Sequence, residues 1–181
     1  VTSEGRRDRL EDVAAEIVEP LRRYLARRTD AATADDVLAD TLLVCWRRID
    51  EVPDDALPWA YGVARHCLAN AERGDRRQRR VAGRIAVVDP PAAATTPPGA
   101  AGDAADDAVG EALAALPASD AELLRLWAWE QLTPSEIAVV LDVTPNAVSI
   151  RLHRARGRLR EELRKIGVGA GHEGSTEGRK P

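Results

Sequence analysis

Apolar residues recur at steps of three and four along most of the chain. Leu10, Val13, Ala14, Ile17, Val18, Leu21, Tyr24 and Leu25 form one stripe, which predicts an amphipathic helix bent at Pro20. A second stripe, Val37, Leu38, Thr41, Leu42, Cys45 and Ile49, predicts a helix that takes Thr33 as N-cap. That helix carries Asp35 and Asp36 in its first turn and ends near Asp50. After a short loop, Pro58 suits the first position of a third helix, which turns Trp59, Val63, Ala64, Cys67, Leu68 and Ala71 inward and runs out into the arginines of 73–80.

Punctuation is sharper towards the C-terminus. Ser119-Asp120-Ala121-Glu122 and Thr133-Pro134-Ser135-Glu136 both read as capping boxes, in which a hydroxyl and a Glu three residues later satisfy each other's orphan amides. Thr144-Pro145 marks a further start. A helix over 134–141, the turn Asp142-Val143-Thr144 and a longer helix from Pro145 have helix-turn-helix spacing. Ala138 is the small residue that lets the two helices approach, with Val143, Val148 and Leu152 closing the core between them. Glycine is usual where Asp142 stands, and Asp tolerates the left-handed conformation better than most residues. No alternating β-branched run appears, so the fold class is all-α.

Between these parts, 86–108 holds nine Ala, four Pro, two Gly and four Asp, with Val87 and Val88 as its only large apolar residues. No core can be built from it, which predicts a flexible linker. The expected organisation is two small helical domains, 1–85 and 109–166, joined by the linker 86–108 and followed by a disordered tail, 167–181.

Composition narrows the function classes. The 181 residues carry a net charge of −4, with 31% charged and 44% hydrophobic, an ordinary soluble balance. The longest run of large apolar residues is Leu42 to Trp46, far short of the roughly 18 needed to span a bilayer, so membrane insertion is excluded and a cytoplasmic protein is expected. Cys45 and Cys67 are too few for a disulfide framework or a zinc site and lie on apolar stripes, as inert core thiols do. His66, His153 and His172 are too scattered for a metal cluster. Asp36 and Asp40 share a helix face, yet no general base, nucleophile or phosphate loop accompanies them, so neither a cofactor nor catalysis is expected.

Charge falls in blocks. Residues 33–57 hold seven acids against Arg47 and Arg48, 73–84 hold six arginines against Asp75, and 151–165 hold seven bases against Glu161 and Glu162. Basic blocks of that density attract polyanions even on a mildly acidic chain. On the helix from Pro145, Asn146, Ser149, Ile150, His153 and Arg154 fall at i, i+3, i+4, i+7 and i+8, an outward face with groups sized for base edges. Arg151, Arg156, Arg158 and Arg160 lie around and beyond it, within reach of phosphates. Among the aromatics, Trp59 suits the core, Tyr61 suits core and surface equally, and Trp127 and Trp129 cannot share a helix face.

The stretch from Leu116 to Leu163 resembles the promoter-reading C-terminal domain of the extracytoplasmic-function (ECF) sigma factors of the sigma-70 family. The segments ADDVLADTLLVCWRRID and PWAYGVARHCLANAERGDRRQRR are similar to the family's other domain, and together the resemblance covers roughly 150 of 181 residues. It implies an alternative sigma factor that binds core RNA polymerase and directs transcription initiation at promoter DNA. It implies polymerase binding by the second helix, with Asp36 and Asp40 as acidic contacts and Arg47 and Arg48 at its end. The loop 50–58 is implied to hold a base flipped from the minus-ten element, with Trp59, Tyr61, Arg65, His66, Arg73, Arg76 and Arg77 along the opened DNA. Asn146, Ser149, Ile150, Arg151, His153, Arg154, Arg156 and Arg158 are implied at the minus-thirty-five element. An anti-sigma factor is the further partner it implies, and the free protein is expected to be a monomer. Ala39, Leu42 and His66 depart from the family's usual Gln, Phe and Asn. Independently, a 23-residue linker extends to about 75 Å at roughly 3.3 Å per residue, and two turns of B-DNA span about 70 Å. The alternative reading is a stand-alone helix-turn-helix regulator whose N-terminal helices dimerise or bind a ligand and which needs no polymerase.

Overall fold

The structure, a computed structural model, describes residues 3–85 and 104–170, with side chains over 3–80 and 107–167. Every regular element in these residues is helical, as the 3.6-residue periodicity predicts. The elements are α1 (Ser3–Ala26), α2 (Ala31–Arg47), a 3-10 turn (Ile49–Glu51), α3 (Ala56–Ile85), α4 (Ala104–Ala114), α5 (Ala118–Ala128), α6 (Pro134–Leu141) and α7 (Pro145–Ala170). They form two compact units, the first carrying α1 to α3 and the second carrying α4, α5, α6 through Ala138, and α7.

In the first unit α1, α2 and α3 pack on one another. Val13, Ile17, Leu21, Tyr24 and Leu25 of α1 meet Val37, Leu38 and Cys45 of α2 and Ala60, Tyr61, Ala64 and Leu68 of α3 in one buried core. The repeated alanines on α3 allow that close approach. Thr41 is buried with them, and its hydroxyl donates to the Val37 carbonyl at 2.7 Å, so it brings no unsatisfied polar group inside. Pro20 lies inside α1.

Three helix boundaries differ from expectation. Asp30, not Thr33, caps α2: its carboxylate accepts the Thr33 N–H at 3.0 Å and the Thr33 hydroxyl at 2.8 Å. A carboxylate satisfies both groups where a threonine hydroxyl satisfies one, so the helix starts three residues earlier. These bonds hold the Asp30 carboxyl below the ordinary aspartate range. Helix α3 starts at Ala56, placing Pro58 third; the first amides of a helix have no intrahelical partner, so its missing N–H costs nothing there. Helix α5 starts at Ala118 with Pro117 as cap and no side-chain bond, so Ser119 falls inside the first turn and the Ser119–Glu122 box does not form. Further, α4 starts at Ala104 within the expected linker, and α7 continues through Ala170 past the expected end at 166. The rest of the linker, 86–103, and the tail 171–181 lie outside the described residues.

The second unit is held by α5 and α4 against α7. Ala112, Leu113 and Leu116 join Ala121, Leu123, Leu124 and Leu126, together with Ile137, Ala138, Val148, Leu152 and Ala155, in its core.

Candidate nucleic-acid interface

Helix α6 begins with the predicted capping box. The Thr133 N–H donates to the Glu136 carboxylate at 2.6 Å, and the Glu136 N–H donates to the Thr133 hydroxyl at 3.3 Å. Just before it, Gln131 takes φ 59°, a left-handed residue that the sequence did not signal. At the far end of α6, Asp142 takes φ 53°, the left-handed corner expected there, and the Val143 N–H returns to the Ala138 carbonyl at 3.0 Å. The Thr144 hydroxyl then accepts the Ala147 N–H at 3.3 Å and starts α7.

Helix α7 is sharply divided. Val148, Leu152 and Ala155 are buried, whereas Asn146, Ser149, Ile150, Arg151, His153 and Arg154 are exposed. Ile150 is 46% exposed although it is fully apolar, which leaves it available to a thymine methyl or a sugar edge. The Ser149 hydroxyl turns back to the Pro145 carbonyl at 3.0 Å. Among the described residues, Arg151 and Arg154 make no ion pair, so both guanidiniums are open to an external acceptor. Two expected phosphate contacts are engaged instead. Arg158 is ion-paired to Asp120 on α5, and the Arg156 guanidinium lies 4.6 Å from the centre of the Trp127 ring. Trp127 and Trp129 are both exposed, and Arg125 stacks on the second at 5.7 Å.

The first unit presents a different surface. On α2, Asp36, Asp40 and Arg47 are exposed on the side away from the core. Leu43, 44% exposed, and Trp46, 38% exposed, join them, and both were missed. Their signal was available: neither belongs to the buried stripe of Val37, Leu38, Thr41 and Cys45. Arg48, expected with the polymerase contacts, is drawn into the following loop. It bonds the Glu51 carboxylate at 2.6 Å and lies 5.7 Å from the Trp59 ring. Each partner stabilises the other's charge, raising the arginine and lowering the glutamate.

On α3, Trp59 and Arg65 are half-buried and His66 is exposed. Tyr61, expected along the opened DNA, is only 3% exposed; its ring packs at 5.1 Å from that of Tyr24, so it belongs to the core and not to the DNA face. Arg73, Arg76 and Arg77 are all exposed, with Arg73 bonded to Asn70 and Arg76 to Glu72 at 3.3 Å on the same helix. Cys45 is fully buried and burial pushes its thiol up to about 11; Cys67 is raised for the same reason, so neither is a poised thiolate. Among the described residues no group of His, Cys, Asp and Glu could hold a metal ion, and no helix is long and apolar enough to cross a membrane.

Two all-helical units, the second containing a capped helix-turn-helix with a polar and basic outer face, define a helical DNA-reading protein. Residues 106–159 match the family described as Sigma-70, region 4. The ECF RNA polymerase sigma factor SigL of Mycobacterium tuberculosis (strain ATCC 25618 / H37Rv) is 33% identical over 151 residues, which cover 81% of this chain and 84% of that protein. The probable RNA polymerase sigma factor RfaY of Xanthomonas campestris pv. campestris is 31% identical over 145 residues, 77% of this chain and 36% of its own length. Among solved structures, the sigma factor RpoE in complex with the anti-sigma factor NepR from Bartonella quintana matches with a TM-score of 0.58 at 21% identity, over 85% of this chain and 96% of that one. CnrH in complex with the cytosolic domain of CnrY matches with a TM-score of 0.57 at 20% identity, over 86% and 88% of the two chains. These structures share the fold. The chain belongs to the ECF RNA polymerase sigma factors.

Proposed function

We propose that this protein binds core RNA polymerase and directs it to promoters carrying its own minus-ten and minus-thirty-five elements. The observation that carries the reading is the division of α7, where three buried residues anchor the helix and Asn146, Ser149, Ile150, Arg151, His153 and Arg154 face outward together. These six read the minus-thirty-five element, with Arg154 and Arg151 as the guanidiniums able to pair with a guanine edge or a phosphate. Arg156 and Arg158 join them at the backbone when their present partners release them. In the first unit, Asp36, Asp40, Leu43, Trp46 and Arg47 form the polymerase-binding face of α2. The loop between α2 and α3 receives the flipped minus-ten base, and Trp59, Arg65, His66, Arg73, Arg76 and Arg77 line the opened strand.

An acidic chain with a net charge of −4 binds duplex weakly by itself, so promoter binding depends on the polymerase. Two of the matched structures are complexes, RpoE with the anti-sigma factor NepR and CnrH with the cytosolic domain of CnrY, which supports a protein inhibitor as a further partner. Run-off transcription with purified core polymerase on genomic promoter fragments tests the proposal, alongside a gel shift of the protein alone. Transcripts that require both polymerase and this protein, with no shift by the protein alone, are the expected result. A clean shift without transcripts would identify a stand-alone regulator instead.

A further inference from the structure

The loop proposed to hold the flipped base carries four carboxylates within six residues: Asp50, Glu51, Asp54 and Asp55. Left to itself such a loop repels phosphates and has few apolar residues to fix it. In the structure three of the four are matched by arginines. Asp50 pairs with Arg6, Glu51 with Arg48 at 2.6 Å, and Asp54 with Arg9 at 3.8 Å.

Arg6 and Arg9 come from the start of α1, some forty residues earlier in the chain, and they also hold the backbone of the loop. Arg9 forks across it: Nε donates to the Ile49 carbonyl at 3.3 Å and Nη2 donates to the Val52 carbonyl at 2.6 Å. Arg6 donates to the Trp46 carbonyl at 3.3 Å, among the carbonyls left open at the end of α2, and lies 5.6 Å from the Trp46 ring. The side chains of Ile49 and Val52 are buried beneath, so the loop is pinned from inside by apolar contacts and from the side by the two guanidiniums. Glu51, Pro53, Asp54 and Asp55 remain exposed on its outer surface.

We infer that Arg6 and Arg9 are positioning residues for minus-ten recognition: they fix the α2–α3 loop in one backbone conformation and offset its negative charge before DNA arrives. The inference rests on the proposed reading of that loop. A base pocket needs such support, because a shift of about 1 Å in a site can cost about a hundredfold in its function. The two-armed geometry of Arg9 is the specific element, since a lysine has one donor centre and cannot span both carbonyls.

The test uses the full chain with core polymerase and three variants, Arg9→Ala, Arg9→Lys and Arg6→Ala. Amide exchange of residues 49–55 in the free protein reads the clamp directly, and opening of the minus-ten region, followed by 2-aminopurine fluorescence on a duplex promoter, reads its consequence. Arg9→Ala is expected to speed loop exchange and to lower open-complex formation, each by about tenfold, with core-polymerase affinity within about twofold of wild type. Arg9→Lys is expected to behave like Arg9→Ala, and Arg6→Ala to show a smaller effect of the same kind. Unchanged loop exchange in Arg9→Ala, or full rescue by lysine, overturns the clamp. Faster exchange with normal opening overturns the positioning role. In that case a variant with Pro53 and Asp54 both changed to Ala assigns the failure: if it too opens promoters normally, the reading of the loop as a base pocket has failed, and not only the role of the arginine.

Discussion

Arg158 of α7 is ion-paired to Asp120 of α5, with the aspartate side chain 15% exposed and the arginine 54% exposed. The pair therefore ties the far half of α7 to the helix that supports it, and withholds one guanidinium from DNA. Asp120→Asn is expected to leave the fold intact, at a cost below about 1 kcal/mol because the arginine is solvated. It should raise duplex affinity at low salt and steepen the logarithmic salt slope by about 0.9, the signature of one further phosphate contact. Titration of a minus-thirty-five duplex with the holoenzyme at several salt concentrations measures it; an unchanged slope would show that the Asp120 pair does not withhold Arg158 from a phosphate.

Arg154 has no ion-pair partner among the described residues and stands on the outward face of α7. Arg154→Ala is expected to reduce discrimination at one minus-thirty-five position by about 1–3 kcal/mol while leaving other positions unaffected. Competition among single-base promoter variants resolves this. Equal losses on every sequence would return Arg154 to the status of a backbone contact.

Tyr61 is buried against Tyr24, so its replacement is a matter of stability. Tyr61→Ala removes a large buried ring and should cost about 3–5 kcal/mol in denaturant unfolding of the first unit. A variant that unfolds like wild type but opens promoters poorly would restore Tyr61 to the DNA face.

Asp30 gives α2 a pH-dependent start. Its folded carboxyl is held below the ordinary range by the Thr33 backbone and side-chain bonds, so its contribution is complete above the unfolded aspartate value and is lost as pH falls through the folded one. Melting curves of wild type and Asp30→Ala should therefore differ at about pH 7, with wild type the higher, and the gap should narrow at a pH well below the unfolded aspartate value of about 3.9. A gap of the same size at both pH values would mean that the cap does not depend on charge.

Local chemistry was legible in the sequence, and long-range pairing was not. The Thr133–Glu136 box, the Thr144 cap and the left-handed Asp142 each depend on neighbours within four residues, so spacing alone placed them. The outward face of α7 was legible for the same reason, since helical periodicity sorts its residues by side. The Ser119 box failed because Pro117 starts α5 two residues early, a competition that a motif does not reveal. Thr33 was displaced by Asp30, which offers the stronger acceptor pair. Arg6, Arg9 and Asp120 escaped notice because their partners lie about forty residues away and meet them only once the helices have packed. Tyr61 was ambiguous until Tyr24 was seen opposite it.

On the proposed reading of its outer face, the division of α7 makes promoter preference a replaceable part. Val148, Leu152 and Ala155 carry the helix's attachment, while the six outward residues bear almost none of the fold's weight. Sequence change can therefore accumulate on one side of a single helix without disturbing the scaffold, and new promoter sets can be acquired by drift at a few surface positions. Related chains that keep the same buried triplet and vary the outer six would share an architecture and serve separate regulons.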